Sequence, residues 1–243
     1  MAAMNSLQSP LRAPVPLVPW GSLARGLAAF AWPQRCAGCA DAIGPGAVLC
    51  AACDAVIPRL ALPLCARCLF EEADPVCSRH ADFRVWPAWS YDERAARVVE
   101  ALKYSGRTDL ARGLGSEMAR VLPAEPRADL VIEVPLHPAR RRERGYNQSA
   151  LLAASLADAL GVPHLEGALE RVRATQAQAR LGPAARRVNV RGAFRVRHPE
   201  RLAGRRVLLV DDVVTTGATL HACLASLEDA GARAAGVTLA WAQ

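Results

Sequence analysis

No apolar run in the 243-residue chain approaches the roughly 18–20 residues that a membrane-crossing helix needs. Aromatic residues make up only 5% of it and form no clustered stripe, which argues against base stacking as its main task. No G-x-x-x-x-G-K-[ST] occurs, so P-loop nucleotide hydrolysis is excluded. Acidic residues almost vanish between Arg171 and Arg206, where eleven arginines stand with one acid, Glu200. Cysteine is absent from most of the chain: seven of the eight lie between residues 36 and 77, which leaves Cys223 alone near the end.

A formal net charge of +7 and a pI near 9.3 point to an anionic partner, either nucleic acid or a phosphorylated small molecule. The competing account of the arginines is a solvated basic surface. Residues 1–20 are proline-rich and aperiodic and read as a disordered leader. Ser22–Trp32 has apolar residues at helical spacing, but Arg25 lies inside it and no clean A-x-A cleavage site follows. It reads as a short amphipathic helix of a cytoplasmic protein without membrane insertion.

The cysteines fall as Cys36-x-x-Cys39, Cys50-x-x-Cys53 and Cys65-x-x-Cys68, with Cys77-x-x-His80 completing a fourth pair. A two-residue spacer lets one turn present both ligands to one metal, and four pairs fill two tetrahedral Zn2+ sites. A disulfide module is disfavoured by the cysteine-poor remainder and a reducing cytosol, and a redox dithiol needs only one such pair. Sequential grouping (36, 39, 50, 53, then 65, 68, 77, 80) is preferred over a cross-brace, which stays open. With all eight positions filled, the zinc is structural, and His80 is the least secure ligand.

From Arg84 onward, apolar runs alternate with helical patterns. "VWPAWSY", "DLVIEVP", "GAFRVR", "RRVLLV" and "AAGVTLAW" read as strands. Asp92 to Gly106, Asp109 to Leu122, Asn147 to Gly161 and Thr215 to Gly231 read as helices. The fold class is α/β: a mainly parallel sheet covered on both faces, preceded by a small zinc-ribbon-like module. The expected division is a helix and zinc module over 21–83 and the sheet domain over 84–243.

"VLLVDDVVTTGAT" (Val207–Thr219) runs a buried strand into two adjacent acids and then a small hydroxyl-rich turn. Ligands of parallel α/β sheets sit beyond the carboxyl ends of the strands. Asp211 and Asp212 at such an end suit the vicinal hydroxyls of a ribose. The free N–H groups of a helix start, with Thr215, Thr216 and Thr219 beside Gly217, suit a phosphate. The plainer alternative is a helix N-cap, which one acid would satisfy.

The same thirteen residues resemble the phosphoribosyl-diphosphate (PRPP) motif of type I phosphoribosyltransferases, Val213 and Ala218 included. "CAGC", "LCAAC", "CARC", "ALKYSGR", "VPLHPARRRERGYNQS" and "RVRATQAQARLGPAARRVNVRGAF" extend the resemblance to the ComF family, over about residues 30–243. One departure is His80, where relatives generally carry cysteine. The resemblance implies a type I phosphoribosyltransferase fold and PRPP bound with Mg2+. A nitrogen nucleophile then attacks C1 of the ribose as diphosphate leaves. It assigns the ribose to Asp211 and Asp212 and the 5-phosphate to Thr215–Thr219. Lys103, His137 and Arg144 are candidate diphosphate contacts. The stretch from Thr175 to Phe194, with Gln178, Arg186 and Asn189, is expected to be a closing loop whose Arg186 counters diphosphate charge. Asp211, Asp212, Arg144 and Arg186 are the candidate catalytic residues. His164 and His198 read as ordinary surface residues and Cys223 as core packing.

Two functions follow. One is a transferase acting on an unidentified nitrogenous acceptor. The other is a non-catalytic PRPP-sensing module in natural competence, with single-stranded DNA or competence proteins as partners.

Overall fold

The computed structural model describes residues 34–44, 46–60, 63–71, 77, 79–80, 83–124, 128–172 and 192–243. The expected leader, the Ser22–Trp32 helix, and Gln178, Arg186 and Asn189 lie outside the described residues.

The cysteine-rich segment contributes β1 (Gln34–Arg35), β2 (Ala42–Ile43), α1 (Ala51–Val56), β3 (Leu64–Cys65) and α2 (Ala66–Glu71). The rest follows as β4 (Arg84–Ser90), α3 (Glu93–Tyr104), α4 (Leu110–Arg120), β5 (Leu130–Glu133), α5 (Pro138–Arg144) and α6 (Gln148–Leu160). It continues with β6 (Leu169–Arg171), β7 (Phe194–Val196), β8 (Arg206–Val214), α7 (Ala218–Asp229) and β9 (Arg233–Trp241). The main sheet has the order β3-β4-β9-β8-β5. Its pairs are parallel except β3 with β4. Residues 64–71 therefore leave the cysteine-rich segment to form an edge strand and a helix on the main body. β6 and β7 form a separate antiparallel pair, so "GAFRVR" is a strand that stands outside the main sheet.

The sheet is covered on both faces because its central strands bury both sets of side chains. On one face Val207, Leu209, Leu130 and Ile132 pack with Leu220, Cys223, Leu224 and Leu227 of α7 and with Ala66 and Cys68 of α2. On the other, Leu208, Val210, Val131, Val237 and Leu239 pack with α3, α4 and α6. The helical spacing of Ala95, Val98, Val99 and Leu102 puts all four on the buried side of α3. Asp92 caps that helix, its carboxylate accepting from the Ala95 N–H at 2.8 Å. Gly161 closes α6 in the left-handed conformation, as its place after an apolar helix suggests.

β8 does not stop before its acids. It stays paired with β9 through Asp211 to Val214, while β5 pairs with it only as far as Val210. The strand thus outruns its neighbour by four residues on one side. Among the described residues, no helix is long and apolar enough to cross a membrane.

Candidate active site and metal centres

Because Asp211 and Asp212 lie inside a strand, their side chains leave on opposite sides of the chain. Asp211 Oδ1 accepts from Ser149 Oγ at 2.8 Å and from the Asp212 N–H at 2.9 Å. Burial, followed by the charge of Asp212, pushes the Asp211 carboxyl up to about 7, against the donors from Ser149 and the backbone. Asp212 is 5% exposed, and its Oδ2 lies 3.0 Å from Lys103 Nζ. The ammonium approaches off the hydrogen-bond direction, so the contact is an ion pair and not a formed hydrogen bond. Lys103, expected to serve a diphosphate, is here the counter-charge of the second acid.

The end of α3 is tied to the chain around Arg144. Tyr146 donates its hydroxyl to the Leu102 carbonyl, and the Arg144 guanidinium lies 4.9 Å from the centre of the Tyr104 ring. Arg144 also donates to Gln148. His137 caps α5, Nδ1 accepting from the Ala139 N–H at 3.2 Å, with Pro138 at the first helical position and Gly145 at φ +84° closing it. That short helix was missing from the strand-and-helix reading, although proline-first and glycine-last are its sequence signals. Asn147 caps α6 through the Ser149 N–H and donates Nδ2 to the Val134 carbonyl at 3.0 Å. The turn between α5 and α6 therefore brings Ser149 to Asp211, while Arg144 is engaged by Gln148 and Tyr104 and His137 stands at the other end of α5.

Two residues near the acids were not singled out from sequence. Ser149 is 1% exposed, and a serine in the first turn of a helix reads as ordinary capping. Arg171, at the end of β6, sits more than half buried within reach of the Asp211 charge, its pKa lowered by that burial. His164 is a correction: its Nε2 lies 2.8 Å from Oε2 of buried Glu133, so it is no surface residue. The Gly167 N–H holds the other oxygen of Glu133 at 2.8 Å. His198 is exposed beside Glu200, and Cys223 is fully buried, as expected.

The turn after β8 places Thr215 at the surface, half-buries Thr216 and Thr219, and buries Gly217 and Ala218. The helix proper starts at Ala218, behind Gly217 at φ +72°. The left-handed φ favours glycine here. So does the neighbour: a Cβ at this position would lie 2.7 Å from the Ala66 carbonyl oxygen. The close approach that Gly217 permits is to the protein's own α2.

The cysteines group sequentially, which removes the cross-brace. Cys36, Cys39, Cys50 and Cys53 form one set and Cys65, Cys68, Cys77 and His80 the other, each with ligand atoms within 4.8 Å of one another. A tetrahedron of bonds of about 2.3 Å sets its ligand atoms about 3.8 Å apart. Cys39 and Cys50 Sγ are 3.6 Å apart, and His80 Nδ1 lies 3.3, 3.4 and 3.8 Å from the sulfurs of Cys77, Cys68 and Cys65. All eight cysteines are free thiols. Backbone N–H groups point at the sulfurs: Gly38 and Cys50 at Cys36, Cys68 at Cys65, Arg79 at Cys77. Against the opposing effect of burial, hydrogen bonds lower Cys36 to about 7 and Cys77 to about 6. Burial first raises Cys53 and Cys68, and against the Asp41 backbone donor the Asp41 carboxylate raises Cys39. Four convergent ligands in each cluster, with no open corner, fit closed structural Zn2+ sites.

Residues 147–243 match the phosphoribosyl transferase domain family, a span that holds Ser149, both acids and the turn. The DNA utilization protein YhgH of Salmonella typhi is 34% identical over 191 residues, 76% of this chain and 80% of that protein. Competence protein F of Haemophilus influenzae is 42% identical over 94 residues, 38% of this chain and 41% of its own. Among solved structures, the glutamine PRPP amidotransferase from B. subtilis aligns at 24% identity over 57% of this chain and 30% of that one. Its TM-score of 0.39 is too low to carry an argument.

Proposed function

The chain belongs to the ComF family, whose members join a cysteine-rich segment to a phosphoribosyltransferase domain, and from that premise we propose that it binds PRPP with Mg2+ and transfers ribose 5-phosphate to a nitrogenous acceptor. The observation that carries this reading is the convergence on one strand end. Two acids, one accepting from Ser149 and the other ion-paired with Lys103, stand directly before a glycine turn that opens a helix. Acids held at a strand end by exchangeable partners suit a ligand that brings hydroxyl donors and a cation of its own.

In this reading the ribose hydroxyls donate to Asp211 and Asp212. The N–H and hydroxyl groups of Thr215–Thr219 hold the 5-phosphate, with Val213 and Ala218 shaping the turn. Mg2+ enters on the diphosphate and adds positive charge to the leaving group. Lys103, Arg144 and His137 line the diphosphate side, and Arg186 closes over it together with Gln178 and Asn189. The C1–O bond breaks with its electron pair leaving on diphosphate. The acceptor nitrogen forms the new bond to C1 and passes its proton to solvent. Catalysis then rests on placement and on stabilising developing charge. The two clusters hold structural zinc, and the protein acts in the cytoplasm.

Titration calorimetry with PRPP, with and without Mg2+, tests the binding half. A Mg2+-dependent heat lost in Asp211→Asn/Asp212→Asn is expected, and a flat titration with the intact protein overturns the proposal. Diphosphate release in a screen of bases tests the transfer half.

The names of the relatives favour a second reading, a non-catalytic module contacting single-stranded DNA or competence proteins. The described arginines bear on it. Arg195 and Arg197 pair with Glu170 and Arg206 with Asp129, whose carboxyl also feels the charge of Arg205; Arg201 and Arg205 are exposed. DNA affinity falling steeply with salt, and falling further in Arg201→Ala/Arg205→Ala, is the signature of this reading.

A further inference from the structure

The second cysteine cluster touches the phosphate turn along two separate paths. The first runs through backbone. Cys65 ends β3 and Cys68 lies in α2, and between them Ala66, fully buried, sets its carbonyl oxygen where a Cβ of Gly217 would be. The second runs through rings. Phe83, 5% exposed, stacks on His221 of α7 with centroids 5.3 Å apart and planes at 28°. The same ring meets the edge of His80 at 6.3 Å and carries the Arg67 guanidinium 5.8 Å from its centre. The main chain of His221 in turn donates its backbone N–H to the Gly217 carbonyl at 2.7 Å, in the first turn of α7, so the ring that Phe83 stacks on belongs to a residue tied to the turn.

β3 has two residues and α2 has six, too short to persist alone, so both depend on outside contacts: pairing with β4 and packing against α7. A metal that cross-links 65, 68, 77 and 80 fixes both segments at once.

We propose that the Cys65–Cys68–Cys77–His80 cluster is the scaffold of the phosphate turn. Metal bound there fixes α2 and Phe83, these position Gly217 and the first turn of α7, and metal and phosphate therefore bind with positive coupling. Ala66 and Phe83 are positioning residues in this scheme. Only its ligand half rests on the reading of the turn given above. Reciprocity follows: whatever factor the metal adds to phosphate affinity, phosphate adds to metal affinity.

Hydrogen exchange by mass spectrometry on the zinc-loaded full-length protein tests the structural half with no phosphate ligand present. Cys68→Ser is expected to speed exchange over 215–221 by at least about 10-fold and Cys39→Ser by less than about 2-fold, with residues 206–210 as the control for an intact sheet. Phe83→Leu keeps every ligand, and so stands in if Cys68→Ser fails to fold. It should speed the same amides and hasten zinc release to a chromogenic chelator. Wild-type protection of 215–221 in these second-cluster variants overturns the scaffold.

For the ligand half, the second cluster is followed alone in the Cys39→Ser background. PRPP with Mg2+ is expected to slow its zinc release by about 10-fold, within the usual range of coupling between two sites. Unchanged release, where calorimetry records PRPP binding, overturns the coupling and leaves the proposed function standing. No binding heat, with the exchange difference still present, removes the proposed function and leaves the scaffold standing.

Discussion

The two cysteine clusters share the same two-residue spacing, yet they lean on different parts of the molecule. The first meets the helices on the other face of the sheet, through polar contacts and through Ile57, Ala37, Val48 and Leu49, which pack on the core there. Arg97 of α3 donates to the Gly38 carbonyl at 3.1 Å, Arg107 to the Arg35 carbonyl at 3.4 Å, and Val48 covers Gly113 of α4. The second is part of the core itself: Cys65, Ala66 and Cys68 are at most 2% exposed and pack with α7. Spacing tells a reader that a metal fits. What the metal stabilises is decided by the residues between and after the ligands, such as Ala66 and Phe83.

The sharpest way to break this comparison is a matched pair of glycine substitutions. Gly217→Ala adds a Cβ against a backbone carbonyl at a left-handed φ, and left-handed backbone alone costs roughly 1–2 kcal/mol. PRPP affinity by calorimetry is expected to fall by about 100-fold, equivalent to roughly 2.7 kcal/mol. Gly113→Ala meets a Val48 methyl at 2.3 Å, and because valine is stiff the first-cluster segment itself must shift, yet PRPP affinity should match wild type. Equal losses in the two would mean that both clusters reach the site.

A second test removes the cation from the site. Lys103→Met leaves Asp212 buried beside Asp211 without its counter-charge, and breaking a buried pair this way typically costs about 3–5 kcal/mol. A thermal melt should show a fall of many degrees at pH 8. The fall should be smaller at pH 5, where Asp211 holds its proton and no longer adds its charge beside Asp212. A pH-independent loss would mean that the ion pair is incidental.

Arg97→Ala is expected to do little. It removes the contact between the first cluster and the helix that carries Lys103, and PRPP affinity should stay within about 2-fold, as for an exposed polar contact. A larger drop would show the first cluster acting on the site through α3.

The smallest effect concerns Asp211. Its carboxyl rises from an ordinary 3.8 to about 7, with Asp212, Lys103, Arg171 and Cys223 as its charged or titratable surroundings and Ser149 as a donor. Across that window the folded chain keeps a proton that the unfolded chain has lost. Raising the pH through it therefore removes stability. Asp211→Asn should gain a few degrees in melting temperature over wild type at pH 8, and less at pH 5. A constant offset would place the buried charge elsewhere.

Much of the fold could be read from sequence because it rests on local pattern. The apolar spacing along α3, the aliphatic run of β8 and the glycine after α6 each state their element outright. The acid pair and the threonine turn were legible for the same reason. What escaped depends on distant partners or on too few residues. β3 has two residues and carries no periodicity. β6 is three residues long and pairs only with β7. His164 looked like a surface residue because Glu133 lies 31 positions away. The ion pair of Lys103 with Asp212 escaped because nothing near Lys103 in sequence announces it. Ser149 escaped because its partner Asp211 lies 62 positions away in β8.

The step where β8 runs four residues past β5 has a geometric consequence. Beyond Val210 that edge of the strand has no β5 neighbour, and Asp211 turns its own carboxylate back onto the Asp212 N–H. The strand edge that carries both acids is thus left without a β5 partner, a few residues before the turn at Gly217. Extending β5 by two residues would cover that edge with ordinary ladder bonds and, under the proposed function, should abolish PRPP binding while the sheet survives.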